Sequence, residues 1–573
     1  MTRPDVVARH PPNSTSRIQG LSTQLASVVT PLRAFVCAIV IGGIWQWSLE
    51  PRAVPLFEEM GFASLRRGIT SGMWSMWSGG WFFPLLRMTY NVFFGLVGFH
   101  TFVPFRAFAL VCNLALVLSL FAYCRARRVP WFGTLIGSYV ILFGAASGRT
   151  ALVPLLAIFP LAIAGLPVAL LLLERNTPRS DIAAAGVLLL AMGFNGPVAL
   201  PICCGIGLWL LQQRPIRWWR LLVPALPCCV YVLALITATA APSARPPGYP
   251  TGIGFPLRPG DVISFFSRMA TSLFAAMVGV GAPAGGRPEA QVLGLLLLTS
   301  CLALVAVCWK QLERAARERI IVSAVVLVLL WMATSVARAE SYGLEAAAAP
   351  RYLIFGAVPV LIVLSELVVV IRGPARAILP LFIGVAACVN AVLFVHMADS
   401  LQVTFDVQRA RGTALELAGV NAAAHYYPAT GPGAIEFWVD ALGYRELKAR
   451  FGSFATKATD LRSAPVVTRK EVDRVMLDIP MMTINRVHSR RVSCVSVRGG
   501  VRTFVVSETG LVVANIGNRA EALLFRRFGE EYQAAPRFVA VEPAGIVRIQ
   551  PKKDRSSVPW LLAVQGPAEV CAG

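Results

Sequence analysis

Carboxylates are scarce in the first two thirds of the chain, and three of them follow its first apolar segment. Glu50 stands where that segment ends, and Glu58 and Glu59 lie in an otherwise apolar stretch. A carboxylate near bilayer depth costs about 2.5 to 3.5 kcal/mol on insertion scales, so its presence there indicates a function. The alternative is a solvated loop in which the three pair with arginines nearby.

Arginines next to apolar segments form the complementary set. Arg351 directly precedes Tyr352 at the start of a late apolar segment, Arg149 lies in a short loop, and Arg268 lies inside an apolar stretch. A guanidinium at the membrane interface can hold a lipid phosphate with paired N–H donors. It can also simply extend to the headgroups. His100, in an aromatic loop, is either a proton shuttle or phosphate donor, or a structural residue.

These side chains must be positioned by membrane helices, because the chain is too apolar for a soluble protein. The mean hydropathy is +0.64, with 56% apolar and only 14% charged residues. Eleven apolar segments between Arg33 and Val395 predict a polytopic α-helical membrane protein. The first, Ala34 to Leu49, lacks a cleavage site and is interpreted as a retained anchor.

The positive charges predict the orientation of these segments. Lys and Arg are crowded in every second loop, and loops rich in these residues stay on the cytoplasmic side of a membrane. Residues 1–33 are therefore predicted to be cytoplasmic, residues 34–397 to form the membrane domain, and residues 398–573 to be exported. The crowded set comprises Arg3, Arg9, Arg17, Arg33, Arg125, Arg127, Arg128, Arg175, Arg179, Arg214, Arg217, Arg220, Lys310, Arg314, Arg317, Arg319, Arg372 and Arg376.

Two regions of the membrane domain need a special interpretation. The apolar run Ile182 to Leu211 is too long for one crossing, and the charge pattern favours two short helices that turn at Asn195-Gly196-Pro197. Such broken helices are tolerated only where they line a cavity. Two outer loops, residues 50–106 and 237–291, are long, and the apolar segment Val262 to Gly281 in the second is predicted to be a re-entrant or surface helix.

The exported part has a different composition. Residues 398–573 carry 23 Lys and Arg and 17 Asp and Glu, which is typical of a soluble domain. Helical patterns are followed by short strand-like runs, which predicts a mixed α/β or β-sandwich domain. Cys494 and Cys571 are its only cysteines. In an oxidising compartment they are predicted to form a disulfide, the alternative being two free thiols.

The net charge of +23 follows from orientation and lipid contact, so no nucleic-acid partner is expected. The other cysteines have no ligand-like spacing, and no metal site is predicted. A divalent metal remains compatible with the sequence, but no residue pattern indicates one.

Three short stretches resemble the bacterial GT-C glycosyltransferases. They are Gly79-Gly80-Trp81-Phe82-Phe83-Pro84, the stretch Phe94 to Arg106, and Pro350-Arg351-Tyr352-Leu353 followed by Pro359. The outward first loop with acidic residues is also similar. The resemblance implies an enzyme of the bacterial cytoplasmic membrane that takes a sugar from a polyprenyl-phosphate donor at the outer face. Many such enzymes end in an exported carbohydrate-binding domain, so the acceptor is expected to be a cell-envelope glycan or glycolipid.

On this resemblance Glu50, Glu58 or Glu59 is the base, although the family usually has Asp just after the first span. Arg351 and Tyr352, with Arg149, Arg268 and His100, are the candidates that hold the donor phosphate. Two other functions are compatible with the sequence. One is a flippase or transporter of a lipid-linked sugar, and the other is an inactive relative that scaffolds envelope synthesis.

Overall fold

The computed structural model describes most of the chain. The described residues are 30–49, 53–55, 59, 82–142, 152–237, 258–280, 287–342, 344–372, 375–419, 441–479, 481–487, 494–519, 523–534 and 540–572. The α-helices are α1 Pro31–Ser48, α2 Pro84–Val97, α3 Val103–Ala126, α4 Pro130–Leu142, α5 Ile158–Glu174, α6 Pro178–Gln212, α7 Leu222–Thr237, α8 Pro259–Met277, α9 Pro288–Cys308, α10 Arg314–Tyr342, α11 Pro350–Val370, α12 Ala375–Ala418, α13 Ala441–Phe451 and α14 Val466–Asp478.

Proline begins many of these helices. Pro31, Pro84, Pro178 and Pro288 each occupy the first helical position, where a missing N–H costs nothing and the fixed φ suits the helix. Thr177 adds a capping box at the start of α6, because its hydroxyl accepts from the Ser180 backbone N–H at 3.2 Å. Local sequence therefore sets where the helices start.

Nine helices among the described residues are long and apolar enough to cross a membrane. The sequence predicts eleven crossings. Several of these helices expose large apolar side chains that a soluble protein would bury; α9, for example, exposes Val292, Leu295 and Leu302. The helical part is therefore compatible with a membrane-embedded protein.

Helix α6 is a hairpin rather than a straight rod. Asn195 has non-helical φ and ψ values (−156° and 87°) in the middle of its 35 residues. The Arg220 guanidinium bonds both to Asp181 near the beginning of α6, at 2.9 and 3.1 Å, and to Gln213 just after its end, at 3.0 Å. A straight helix would hold those two residues about 48 Å apart. The chain therefore reverses at Asn195, as the sequence predicts.

Each arm of the hairpin packs against its own neighbours. Close contacts from Gly165 in α5 reach Ala191 in the first arm. In the second arm Gly205 lies against Val326 of α10, and Gly207 lies near Pro224 of α7. Small residues let these helix backbones approach closely, which is the usual source of packing energy between membrane helices.

A buried ion cluster joins four other helix ends. Arg319 binds both carboxylate oxygens of Glu366 at 2.7 and 2.8 Å and reaches Glu174 at 3.2 Å. Arg127 pairs with the same two glutamates, and the Tyr123 hydroxyl donates to Glu366. Two arginines and two glutamates thus neutralise each other, as buried charges must. All belong to segments at or beside loops that the charge pattern places on one side of the membrane.

Helix α12 carries the chain from the bundle into the C-terminal part. It has 44 residues and passes without a break through position 398, where the sequence predicts a new domain. Its far end is held by α14, because Arg411, which is almost fully buried, pairs with Glu471 at 3.0 Å. The change of composition at residue 398 therefore falls inside one rigid element.

The C-terminal part contains two antiparallel sheets. Their strand orders are β1-β7-β4-β9-β2 and β3-β8-β5-β6. Strand-like runs in the sequence predict β2, β3, β4, β7 and β8, but the sequence does not predict β1, β5, β6 or β9. A further predicted strand, Phe538 to Val541, is described only at its last two residues. The strands are β1 Met482–Arg486, β2 Cys494–Val497, β3 Val501–Val506, β4 Leu511–Asn515, β5 Leu523–Arg526, β6 Gln533–Ala534, β7 Ile546–Pro551, β8 Trp560–Gln565 and β9 Ala568–Ala572.

The Asp473 carboxylate of α14 binds the turn that follows β5 in the second sheet. Asp473 accepts hydrogen bonds from the backbone N–H groups of Arg527, Phe528 and Gly529 at 2.8 to 3.0 Å. Burial raises the pKa of Asp473 above its ordinary value, although the three donors act in the opposite direction. The turn after β5 is thereby held against α14.

Removing the Arg220 guanidinium should open the hairpin. We expect Arg220→Met to lower the free energy of unfolding by about 3 to 5 kcal/mol, because Asp181 would keep an uncompensated buried charge. Arg217→Met is the matched control, since Arg217 is exposed and its side chain donates, among the described residues, only to Asn176. Thermal unfolding of both variants in detergent measures their stability. An equal loss of stability in both variants would contradict the conclusion that Arg220 holds the two ends of the hairpin together.

Cys494 and Cys571 face each other in the β2–β9 pair and are joined by a disulfide bond. Because it closes a loop with a sequence separation of 77, its removal by Cys494→Ser with Cys571→Ser should cost about 4 kcal/mol in the chain-entropy model. Thermal unfolding measures this, with Cys37→Ser and Cys388→Ser as an exposed-thiol control. Alkylation of both tail thiols without reductant would refute the bond.

Candidate functional site

A small cleft lies between helices α5, α6, α10 and α11. Its volume is about 60 Å³. One part of its wall is apolar, and the rest carries the hydroxyl groups and the guanidinium of three polar residues. The lining residues are Phe159, Pro197, Val198, Leu330, Ala333, Thr334, Ala337, Arg338, Tyr352 and Phe355.

Helix α10 supplies half of this wall from one face. Leu330, Ala333, Thr334 and Ala337 follow the spacing of residues that lie above one another on a helix. The two alanines leave room that larger side chains would fill. Arg338, half-buried, ends this face and brings a positive charge to the cleft.

The hairpin turn of α6 supplies another part. Pro197 and Val198 line the cleft two and three residues after the break at Asn195. The Gly196 N–H donates to the Phe82 carbonyl at 2.9 Å, and a Cβ at Gly196 would lie 2.6 Å from the Tyr231 ring. Only glycine fits there, so the turn can pack tightly between α7 and the segment before α2.

Asn195 is fully buried at this turn. Its Oδ1 accepts weakly from the Val198 N–H at 3.4 Å, and its Nδ2 has no hydrogen-bond partner among the described residues. A buried amide that keeps an unused donor is costly and is most often retained for a ligand or a water. The sequence expectation that the broken helix lines a cavity is therefore supported by the geometry.

Glu59 lies close to the same cleft. It is 0% exposed, and its carboxylate accepts from the Tyr90 hydroxyl at 2.7 Å and from the Leu155 N–H at 3.2 Å. Leu155 precedes Phe159, a cleft residue, by four positions, which is about 6 Å along a helix. The carboxylate thus connects α2 to the chain segment that forms the cleft wall.

The structure describes only some of the other predicted site residues. Tyr352 is buried and lines the cleft, whereas Glu50, Glu58 and Arg149 lie outside the described residues. Arg351 belongs to the first turn of α11, and only its backbone is described.

Two predicted residues do not line the cleft. Arg268 is half-buried on α8, five residues before Leu273, which packs against Gly356 in α11. His100 lies against Gly452 of the C-terminal part, since a Cβ there would be 2.5 Å from the imidazole. His100 therefore sits at a contact between the two parts of the chain.

Sequence reasoning missed Arg338 and Thr334. Both stand near the end of a long apolar segment, and Arg338 is eight residues after Leu330, on the same helical face. The sequence shows this spacing, but it does not show which helices pack against this face, so it could not predict that the face lines a cavity. No cluster of His, Cys, Asp or Glu that would hold a metal occurs among the described residues.

No protein-family model matches the chain, and neither a curated protein nor a solved structure resembles it significantly.

Proposed function

We propose that the protein is a membrane glycosyltransferase that moves a sugar from a polyprenyl-phosphate donor to a cell-envelope glycan or glycolipid. The observation that carries this proposal is the cleft beside the broken helix α6. Its apolar wall suits a prenyl chain, and Thr334, Arg338 and Tyr352 form a polar end that suits a phosphate. A transported or transferred lipid phosphate needs both features in one site.

The size of the cleft defines what it would hold. Sites that enclose a complete small ligand have volumes of roughly 300 to 1,000 Å³, whereas this cleft has about 60 Å³. We assign to it the phosphate and the first prenyl carbons. The sugar would then project past Arg338 and Tyr352, toward the end of the bundle where Glu59 lies.

The reaction needs one base and one cation. The bond between the anomeric carbon of the sugar and the phosphate oxygen breaks, and its electron pair stays on the phosphate. The acceptor oxygen forms the new bond to that carbon, and its proton passes to a carboxylate of Glu50, Glu58 or Glu59. Arg351 and Arg338 would stabilise the charge on the departing phosphate with paired N–H donors.

Glu59 is fully buried. Both of its described contacts are hydrogen bonds that hold the carboxylate inside the protein. We therefore assign Glu59 to positioning the loop, and Glu50, which comes two residues after the end of α1, to the proton transfer. Asp is usual at that place in the GT-C family, and Glu carries the same group on a longer side chain.

The orientation belongs to the same proposal. The N-terminus and the ion cluster of Arg127, Glu174, Arg319 and Glu366 would face the cytoplasm, and residues 398–573 would be exported from a bacterial cell. Support comes from the ion cluster, since its four residues lie in or beside loops that belong to the crowded set of Lys and Arg. A divalent metal is not required by this mechanism.

Filling the cleft should block donor binding. We expect Ala333→Trp to lower transfer at least about tenfold by raising KM, because the indole would occupy the space assigned to the prenyl phosphate. Met332→Trp is the matched control, since Met332 is exposed on the other side of the same helix. Transfer from a polyprenyl-phosphate sugar by purified protein measures both, and an unchanged KM in Ala333→Trp would exclude the cleft as the donor site.

Removing the base should slow the chemical step and spare binding. We expect Glu50→Gln to lower kcat by about 10² to 10⁴, because the amide keeps the size of the side chain but cannot accept the proton. Glu345→Gln, at an exposed position before α11, is the control. Normal turnover by Glu50→Gln in the same transfer assay would remove Glu50 from the mechanism.

The wild-type protein decides between this function and its alternatives. Transfer with release of polyprenyl phosphate supports the enzyme. Movement of a lipid-linked sugar across a vesicle without transfer supports the flippase, and neither activity across a broad donor panel supports the scaffold.

A further inference from the structure

The C-terminal part contains a cleft that is much larger than the one between the helices α5, α6, α10 and α11. It has a volume of about 920 Å³ and opens between the ends of β1, β7, β3 and β8. The segment 552–559 forms one side of it, and Thr483, Ser507 and Gln550 add polar groups from the strands. Its volume falls within the range of sites that enclose a ligand.

The segment 552–559 is built around one buried ion pair. Arg527 and Asp554 bond through two N–H groups of the guanidinium, and their side chains are 5% and 3% exposed. Arg527 also donates to the carbonyls of Val558 at 2.6 Å and Ser556 at 3.2 Å. This part of the cleft lining is therefore electrically neutral and held together by several hydrogen bonds.

The charges at the mouth of the cleft are not neutralised. Lys552, Lys553 and Arg555 are exposed, and none has an ion-pair partner among the described residues. Glu508 is the one acidic residue among the lining residues besides Asp554. Three unpaired cations against one carboxylate give the mouth a positive potential, which attracts anionic ligands.

One donor at the wall of the cleft is also unused. Trp560 is 2% exposed, and its indole Nε1 has no hydrogen-bond partner among the described residues. An indole N–H can only donate, so it needs an acceptor oxygen. Its ring is held in place by the Arg527 guanidinium 5.3 Å away. A buried unused donor under a cationic mouth is the arrangement expected for an oxygen-rich anion.

We propose that this cleft binds an anionic oligomer that carries phosphate or carboxylate groups on a hydroxyl-rich backbone. Lys552, Lys553 and Arg555 bind the charged groups, and Trp560 with Ser507 and Gln550 bonds to neutral oxygens. The Arg555 N–H donates to the Leu417 carbonyl at 3.1 Å, so the cleft is anchored to the end of α12. Only the further step, that this oligomer is the acceptor of transfer, rests on the proposed function.

Binding is tested on the full chain in detergent, without any transfer step. The probes are fluorescent oligogalacturonate for carboxylate, fluorescent oligo(glycerol phosphate) for phosphate, and fluorescent maltoheptaose as the neutral comparison. We expect fluorescence anisotropy to show saturable binding of at least one anionic probe that weakens with added salt, and at least about tenfold weaker binding of maltoheptaose. Which anionic probe binds more tightly identifies the charged group.

Charge reversal supplies the control. Lys552→Glu with Lys553→Glu should weaken the anionic probe at least about tenfold. Lys457→Glu with Arg498→Glu changes the net charge equally at exposed positions that do not line the cleft, and should leave binding within about twofold. Trp560→Phe, with unfolding measured in parallel, tests the indole donor.

Three results would overturn the proposal. The first is that neither anionic probe binds at millimolar concentration. The second is that maltoheptaose binds as tightly as the anionic probes. The third is that both double variants lose the same affinity for the anionic probe, which would mean that the overall positive charge of the C-terminal part, and not this cleft, attracts it. If the protein binds the probe but transfers no sugar, the binding site is supported and the proposed function is rejected. If it transfers sugar but binds no anionic probe, the proposed function is supported and the binding site is rejected.

Discussion

The chain reversal at Asn195 is the constraint on which the rest of the helical part depends. A break in a membrane helix frees backbone groups that lipid cannot satisfy, so the protein must surround it. Phe82 supplies a carbonyl to the Gly196 N–H, and Arg220 holds the other end of the hairpin through Asp181 and Gln213. The two arms can then be too short for a full crossing. Their turn stays inside the bundle, and the cleft forms beside it.

This part of the fold was predictable because charges and apolar length act over the whole sequence. An apolar run of 30 residues is too long for one crossing, and turning back keeps the arginines at its two ends on the same side. The pairing of individual charges was not predictable in the same way. Glu366 lies near Arg372 in the sequence, yet its partners are Arg319 and Arg127, because helix ends distant in sequence meet in the bundle.

The limits of prediction in the C-terminal part have two physical causes. Hydropathy falls near Met397, but helix formation does not end there, since Leu401 and Phe405 continue a buried stripe along α12. The drop in hydropathy near Met397 therefore does not mark the end of the helix. Of the strands that the sequence does not predict, β1 contains Asn and β9 contains Ala and Glu, where strand propensity prefers branched or aromatic side chains. Their positions are set by pairing with β7 and β4, which is tertiary information.

The two clefts belong to one connected body. Helix α12 runs from the bundle to the sheets, and the turn between α2 and α3 makes a second attachment, where the Phe99 N–H donates to the Phe451 carbonyl at 2.6 Å. Gly98, with φ of +58°, permits this approach, because a Cβ would stand 2.2 Å from that carbonyl oxygen. Tyr90, which holds Glu59, lies on α2 two turns before this attachment. Movement of the C-terminal part is thus resisted by the same helix that fixes the buried carboxylate. A ligand held by the sheets would therefore keep a defined position relative to the end of the bundle.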